Sequence, residues 1–249
     1  MNTPKFLYTV IFTFTVFISQ AQTSSFDHNL WDQALLLNVS DDGQVDYEGF
    51  MQDSSLLYRY FAQLSANPPQ ESWSREEKLA YWINAYNAYT IKLIIDSYPV
   101  KSIKDIKDPW EKEFFKISGE WYSLGQLEHE ILRKFGDPRI HFAINCASYS
   151  CPVVWNRAYT ASNVDEALDT QTRQFINDPT RNIITKNQVK VSKIFTWFKK
   201  DFKVNGGDVV DFINKYANVK IAKQSNKGYT DYNWSLNARV NGKAVVAQD

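Results

Sequence analysis

Between His129 and Cys151 the chain gathers two of its three histidines and both of its cysteines. In order these are Glu128-His129, then Arg139, His141, Asn145, Cys146 and Cys151, while the third histidine, His28, lies far upstream. Histidine relays protons near neutral pH, and a cysteine thiolate attacks carbonyl carbon. Such a set suits amide or thioester hydrolysis, or acyl transfer, with a carboxylate orienting the imidazole. Two cysteines this close can instead close into an inert Cys146–Cys151 disulfide wherever the compartment is oxidising. A zinc site built from His129, His141, Cys146 and Cys151 lacks any Cys-x2-Cys or His-x3-His pair, so no metal is assigned. Phosphate-cradling glycine motifs and a Gly-x-Ser-x-Gly elbow are absent too. That disfavours nucleotide-dependent chemistry and ordinary serine hydrolases, and no cofactor is expected.

The compartment follows from the first residues. After Lys5, residues 6–18 are apolar apart from threonines and a tyrosine, and Ser19-Gln20-Ala21 then offers a small-residue cleavage site. This reads as a secretory signal over 1–21, too short for a membrane span, which predicts a secreted or periplasmic protein. No cysteine follows the apolar run to carry a lipid, and no later segment is apolar for long enough to cross a bilayer, so no stable membrane anchor is expected. Removing 21 of 249 residues leaves roughly 228, which fits one large domain over 22–249. The 28 basic and 28 acidic residues cancel, which argues against a nucleic-acid partner held through phosphates. Aromatic residues make up 15% of the chain; they serve packing first, although the same rings can line a groove.

The elements that must position the reactive stretch can be read in outline. An amphipathic helix is expected over 26–38, followed by an Asp42-Gly43 turn and a short strand at 45–47. A second helix carries Phe50, Leu57, Phe61 and Leu64. Residues 38–49 imitate a calcium loop, but Gly49 stands where a bidentate glutamate is required, so the turn reading is preferred. Ser74 and Glu77 form a capping box opening the clearest helix, which is apolar on nearly every face from Leu79 to Ile95 and therefore central. Asn84 and Asn87 share one face of it. Each must brace neighbouring backbone or point into a site, and Asn84 is expected to brace. Phe115 and Trp121 flank a Gly119 hairpin turn, and Ser123 and Gln126 cap a helix that Gly136 ends. A strand is expected over 140–145, a helix over 164–175 and a hairpin pairing 182–185 with 188–191. Short helices near 195–202 and 208–216 then precede a strand-rich tail at 231–237. Helices and hairpins in separate blocks give an α+β class.

Geometry orders the candidates. Leu124, Leu127, Ile131 and Phe135 form the inward stripe of their helix; Glu128 borders it, and His129 lies about 100° further round. Burial at that border would raise the Glu128 pKa. If 140–145 is extended, His141 and Cys146 are roughly 16 Å apart at about 3.3 Å per residue, too far for a dyad. The imidazole of His129 can reach the far end of an antiparallel strand. These distances favour Cys146 as nucleophile, His129 as base and Glu128 as orienting group, with His141 structural or substrate-binding. If the helix amides point into the site rather than brace, Asn84 and Asn87 join Asn145 as substrate-binding contacts or oxyanion donors.

Several ordered motifs resemble the DUF547 family, whose function is unassigned. They are Tyr81-Trp82-Ile83-Asn84-Ala85-Tyr86-Asn87, Leu127-Glu128-His129, His141-Phe142-Ala143-Ile144-Asn145-Cys146, Ser150-Cys151-Pro152 and Ser192-Lys193-Ile194-Phe195. The resemblance spans about 45–201, with an echo at Trp234-Ser235-Leu236-Asn237. It implies that the asparagine helix, the Glu-His pair and the first cysteine recur, while the second cysteine and His141 are replaced in some relatives. Any likeness to papain or transglutaminase is remote, because the central helix carries asparagines and no cysteine. The expectation is an exported α+β domain whose buried central helix packs on a mainly antiparallel sheet. It is either a thiol-dependent hydrolase or acyl transferase, or a non-catalytic envelope binding domain with a Cys146–Cys151 disulfide. Its partner would be a small molecule or peptide.

Overall fold

Ser74 accepts the Glu77 N–H at 3.1 Å while the Glu77 carboxylate accepts the Ser74 N–H at 2.8 Å. This reciprocal cap starts helix α4 (Arg75–Ser97) where the sequence places it. The computed structural model describes residues 25–240, apart from 187, 204–205, 224 and 226, together with 243–244. The signal segment over 1–21 lies outside these residues. Every residue of α4 from Leu79 to Ile91 is buried, as expected of a helix apolar all round. Among the described residues no helix is long and apolar enough to cross a membrane.

Helices α1 (Asn29–Asn38), α2 (Tyr47–Gln52) and α3 (Ser55–Ala66) pack at one end of this core. The expected strand at 45–47 is only an isolated bridge at Val45, because Asp46 accepts the Gly49 N–H at 2.7 Å and caps α2 instead. Strands β1 (Phe115–Ile117) and β2 (Glu120–Tyr122) form the expected hairpin, and Phe115 stacks on Tyr89 of α4 at 3.7 Å. A helical run over 124–135 follows, and then α6 (Val164–Asn177). Strands β3 (Ile183–Ile184) and β4 (Val189–Val191) pair antiparallel, with β5 (Lys227–Tyr229) added parallel. Helices α7 (Ile194–Trp197) and α8 (Val209–Tyr216) complete the helical set, and β6 (Arg239–Val240) pairs with β7 (Lys243–Ala244). The class is α+β, with the strands in small separate sheets and helices as the main neighbours of α4.

One correction bears on the site. Residues 138–142 are not a strand but a 3-10 turn, Pro138–Phe142. Asp137 accepts the Arg139 N–H at 3.1 Å, and Pro138 presets the first helical φ, so capping chemistry overrides the apolar alternation. Two hydrophobic clusters result. The larger surrounds α4; the smaller gathers Phe142, Phe175, Phe195, Phe202 and Phe212 between α6, β4, α7 and α8.

Candidate functional site

The helical run over 124–135 is not uniform. After α5 (Leu124–Gln126) comes a π turn, Leu127–Ile131, and then a 3-10 turn, Leu132–Phe135. The extra residue of a π turn shifts the helical phase, so Leu132 joins Leu124 and Leu127 in the core while Ile131 is only half-buried. Glu128 and His129 sit on this turn, and Glu128 is buried. The 3-10 turn Pro138–Phe142 climbs only about 2 Å per residue. It brings His141 to the same hollow as Cys146, so the extended-strand distance that set the two apart does not apply.

The opposite wall comes from two later segments. Helix α7 delivers Trp197, followed by Phe198. Residues 232–239 form an extended strap: Ser150 N–H bonds the Asn233 carbonyl, Tyr149 N–H the Ser235 carbonyl, and Leu236 N–H the Lys101 carbonyl. That anchoring sets Tyr232 and Trp234 beside the disulfide. The result is a cleft of about 310 Å3 at the seam of the two hydrophobic clusters. Its walls include Glu128, His129, His141, Cys146, Trp197 and Trp234. Seams of this kind are common ligand sites.

Cys146 and Cys151 are joined in a disulfide. Tyr232 Oη donates to Cys151 Sγ at 3.1 Å, the Cys146 N–H points at the same sulfur at 3.1 Å, and Ser148 Oγ lies 3.3 Å from Cys146 Sγ. Among the described residues no histidine hydrogen-bonds to either sulfur. His141 Nε2 instead lies 2.8 Å from Asp201, whose carboxylate is held from the other side by Arg133 at 2.6 and 2.8 Å. His129 Nδ1 lies 3.3 Å from Arg133 Nη1, and Glu128 accepts from Tyr86 Oη at 3.3 Å. The Glu128–His129 pair therefore divides between separate partners.

These contacts set the charges. Burial pushes the Glu128 carboxyl up to about 7, against the Tyr86 hydrogen bond and the Arg133 charge. Burial lowers His141 against the pull of Asp201, and burial with the Arg133 charge lowers His129. Burial alone would raise Asp201, but bonds from His141 and Arg133 outweigh it and hold that carboxyl well below its usual range. At neutral pH the two imidazoles are neutral, His141 donates its Nε2 proton to Asp201, and Glu128 is close to half-protonated. Ionisable groups shifted by burial and by specific charge partners, and set in a cleft, make a candidate functional site.

The remaining candidates lie elsewhere. Asn84 is fully buried; its Nδ2 donates to the Tyr159 carbonyl at 2.7 Å and its Oδ1 accepts the Tyr159 N–H at 3.0 Å. Asn87 bonds the Ala143 carbonyl and the Asn145 N–H in the same way. Both are braces behind the cleft wall. Asn145 donates to the Pro152 carbonyl and lines a second hollow on the far side of Cys151. Arg139 faces away, tied to Asp137, Asp165 and Asp169.

Residues 70–176 match the family model described as "Protein of unknown function, DUF547". The matched stretch carries α4, the Glu128-His129 turn and both cysteines, but it stops before α7, Asp201 and the strap. No curated protein matches the chain, and neither does any solved structure.

Sequence reasoning missed Tyr86, Arg133, Asp201, Trp197, Tyr232 and Trp234 as site residues. Asp201 is 60 positions from the histidine it orients, and no local pattern announces it. The rings carried a weak signal, since half-exposed aromatics late in the chain fit a groove as well as a core.

Proposed function

We propose that this is an exported ligand-binding domain, and that its ligand, a small molecule or peptide, sits in the cleft between the two hydrophobic clusters. The closed disulfide carries this reading. With Cys146 bonded to Cys151, and hydroxyls and an amide rather than imidazoles around the sulfurs, the cleft has a rigid wall and no thiol nucleophile. A ligand-observed NMR screen of neutral, cationic and anionic fragments tests it. Hits should weaken in Trp234→Ala and in Trp197→Ala; hits indifferent to both changes would overturn the reading.

A second reading rests on a separate observation: Cys146, His129, His141 and Glu128 all line one cleft. In the reduced protein this geometry fits thiol-dependent amide or thioester hydrolysis, or acyl transfer. The Cys146 thiolate would attack the carbonyl and form an acyl-enzyme, and an imidazole would hand the proton to the leaving group. Of the two rings, His141 has the more fitting support, because Asp201 fixes it as a triad carboxylate fixes its histidine. Reduced protein should then label at Cys146 faster than a denatured control. Equal rates would remove this reading.

A further inference from the structure

Trp197, Tyr232 and Trp234 form one continuous ring surface. Centroids of Trp197 and Tyr232 are 4.8 Å apart, those of Tyr232 and Trp234 are 4.6 Å apart, and Trp110 meets Trp234 edge-on at 6.0 Å. Core packing does not account for the exposure of this wall, since Trp197 is 47% accessible. The residues lining the cleft include the carboxyl groups of Glu111 and Glu128 and neither lysine nor arginine. Burial holds its two histidines neutral. The guanidinium of Arg133, 5.6 Å from the Phe198 centroid, is already paired with Asp201, and that of Arg181, behind Cys151, is held by Asp178 and by the Cys151 and Tyr149 carbonyls. The wall also seats an ammonium of the protein itself, with Lys104 Nζ 5.2 Å from the Trp234 centroid.

We propose that the cleft takes a cationic ligand, an alkylammonium or quaternary ammonium group seated on the Trp197–Tyr232–Trp234 wall and faced by Glu111 and Glu128. The faces of aromatic rings carry negative potential, tryptophan most strongly, and a desolvated cation gains on them what a neutral group of the same shape does not. An anion would meet carboxyl groups and ring faces, with no lysine or arginine among the residues lining the cleft to pair it. A neutral ligand would gain the stacking but leave the acidic side of the cleft unused. The inference rests on the ligand-binding reading and adds the chemical class of the ligand.

The test uses the full oxidised chain and three probes: choline, its neutral carbon isostere 3,3-dimethylbutan-1-ol, and acetate, each titrated by calorimetry. Choline should saturate and bind roughly 5- to 30-fold tighter than the isostere, the preference a desolvated cation–π contact supplies. Trp197→Ala, checked by a thermal melt to be folded, should remove most of that preference. Glu111→Gln should weaken choline a few-fold and leave the isostere alone. Isostere binding within twofold of choline, acetate binding tighter than choline, or choline failing to saturate would each overturn the inference. If neutral fragments still bind in a Trp234-dependent way, the cleft reading survives that failure. If no fragment binds, both fall together.

Discussion

Asn87 and Asn145 are joined backbone to side chain: the Asn145 N–H donates to Asn87 Oδ1 at 2.9 Å, while Asn87 Nδ2 donates to the Ala143 carbonyl at 2.9 Å. One amide on α4 thus replaces the strand pairing that residues 143–145 do not have, and it fixes the segment linking His141 to Cys146. Asn84 does the same for Tyr159 three residues earlier. Replacing either by alanine leaves a buried N–H and a buried carbonyl unpaired, which costs roughly 1 to 3 kcal/mol. Thermal melts of Asn84→Ala and Asn87→Ala should both fall. A melt indistinguishable from wild type would show that the amide does not brace.

Glu128 sets a pH dependence of known sign. Its folded carboxyl is raised to about 7 from an ordinary 4.5, so between those values the folded state holds the proton that the unfolded state has lost. Stability from this group is complete below pH 4.5 and is lost as pH rises through 7. The groups around it are Tyr86, Arg133 and Asp201, with His129, His141 and Glu111 lining the same cleft. Glu128→Gln keeps an acceptor for Tyr86 and cannot ionise. It should match wild type near pH 4 and exceed it at pH 8 by on the order of 3 kcal/mol. Parallel denaturant curves at the two pH values read the difference. Equal stability at pH 8 would contradict the buried carboxyl.

His28 acts in the opposite direction. Burial against Tyr60 and Asn84 lowers it to about 4 from 6.5, and Asp27 only partly offsets this. The folded state resists protonation, so the stability it contributes is complete above pH 6.5 and drains away as pH falls toward 4. His28→Gln should flatten the loss between pH 6.5 and 4 by on the order of 3 kcal/mol relative to wild type. Unfolding free energies across that window check it, and parallel slopes would refute it.

Much of this architecture was legible in the sequence. The Ser74 box, the all-round apolar helix, the Gly119 hairpin and the Gly136 stop are local signals with local causes, and each appears where it was read. The 140–145 segment alternates as a strand does, but the Asp137 cap and Pro138 start a 3-10 turn there instead. Residue type alone points to the candidate cluster, and Cys146, His129, Glu128 and His141 line one cleft. Its partners were not found. Asp201 and the rings of the strap reach the site through long-range packing, which spacing along the chain cannot express.

The Cys146–Cys151 bond closes a short loop, and constraint of the unfolded chain by so short a loop is worth about 2 kcal/mol. Cys151→Ser should lower the melting temperature by several degrees. It should also free the half-buried Cys146 for alkylation, while the buried Cys151 of a Cys146→Ser variant reacts far more slowly. Equal rates at the two positions would contradict the burial of Cys151.

The most direct measurement is thiol trapping on the non-reduced native protein, followed by peptide mapping without reductant. The ligand-binding account requires one cross-linked peptide joining Cys146 to Cys151 in essentially all molecules, with no alkylated cysteine. A free Cys146 that alkylates faster in the native protein than in denaturant would contradict it and return the cleft to thiol catalysis.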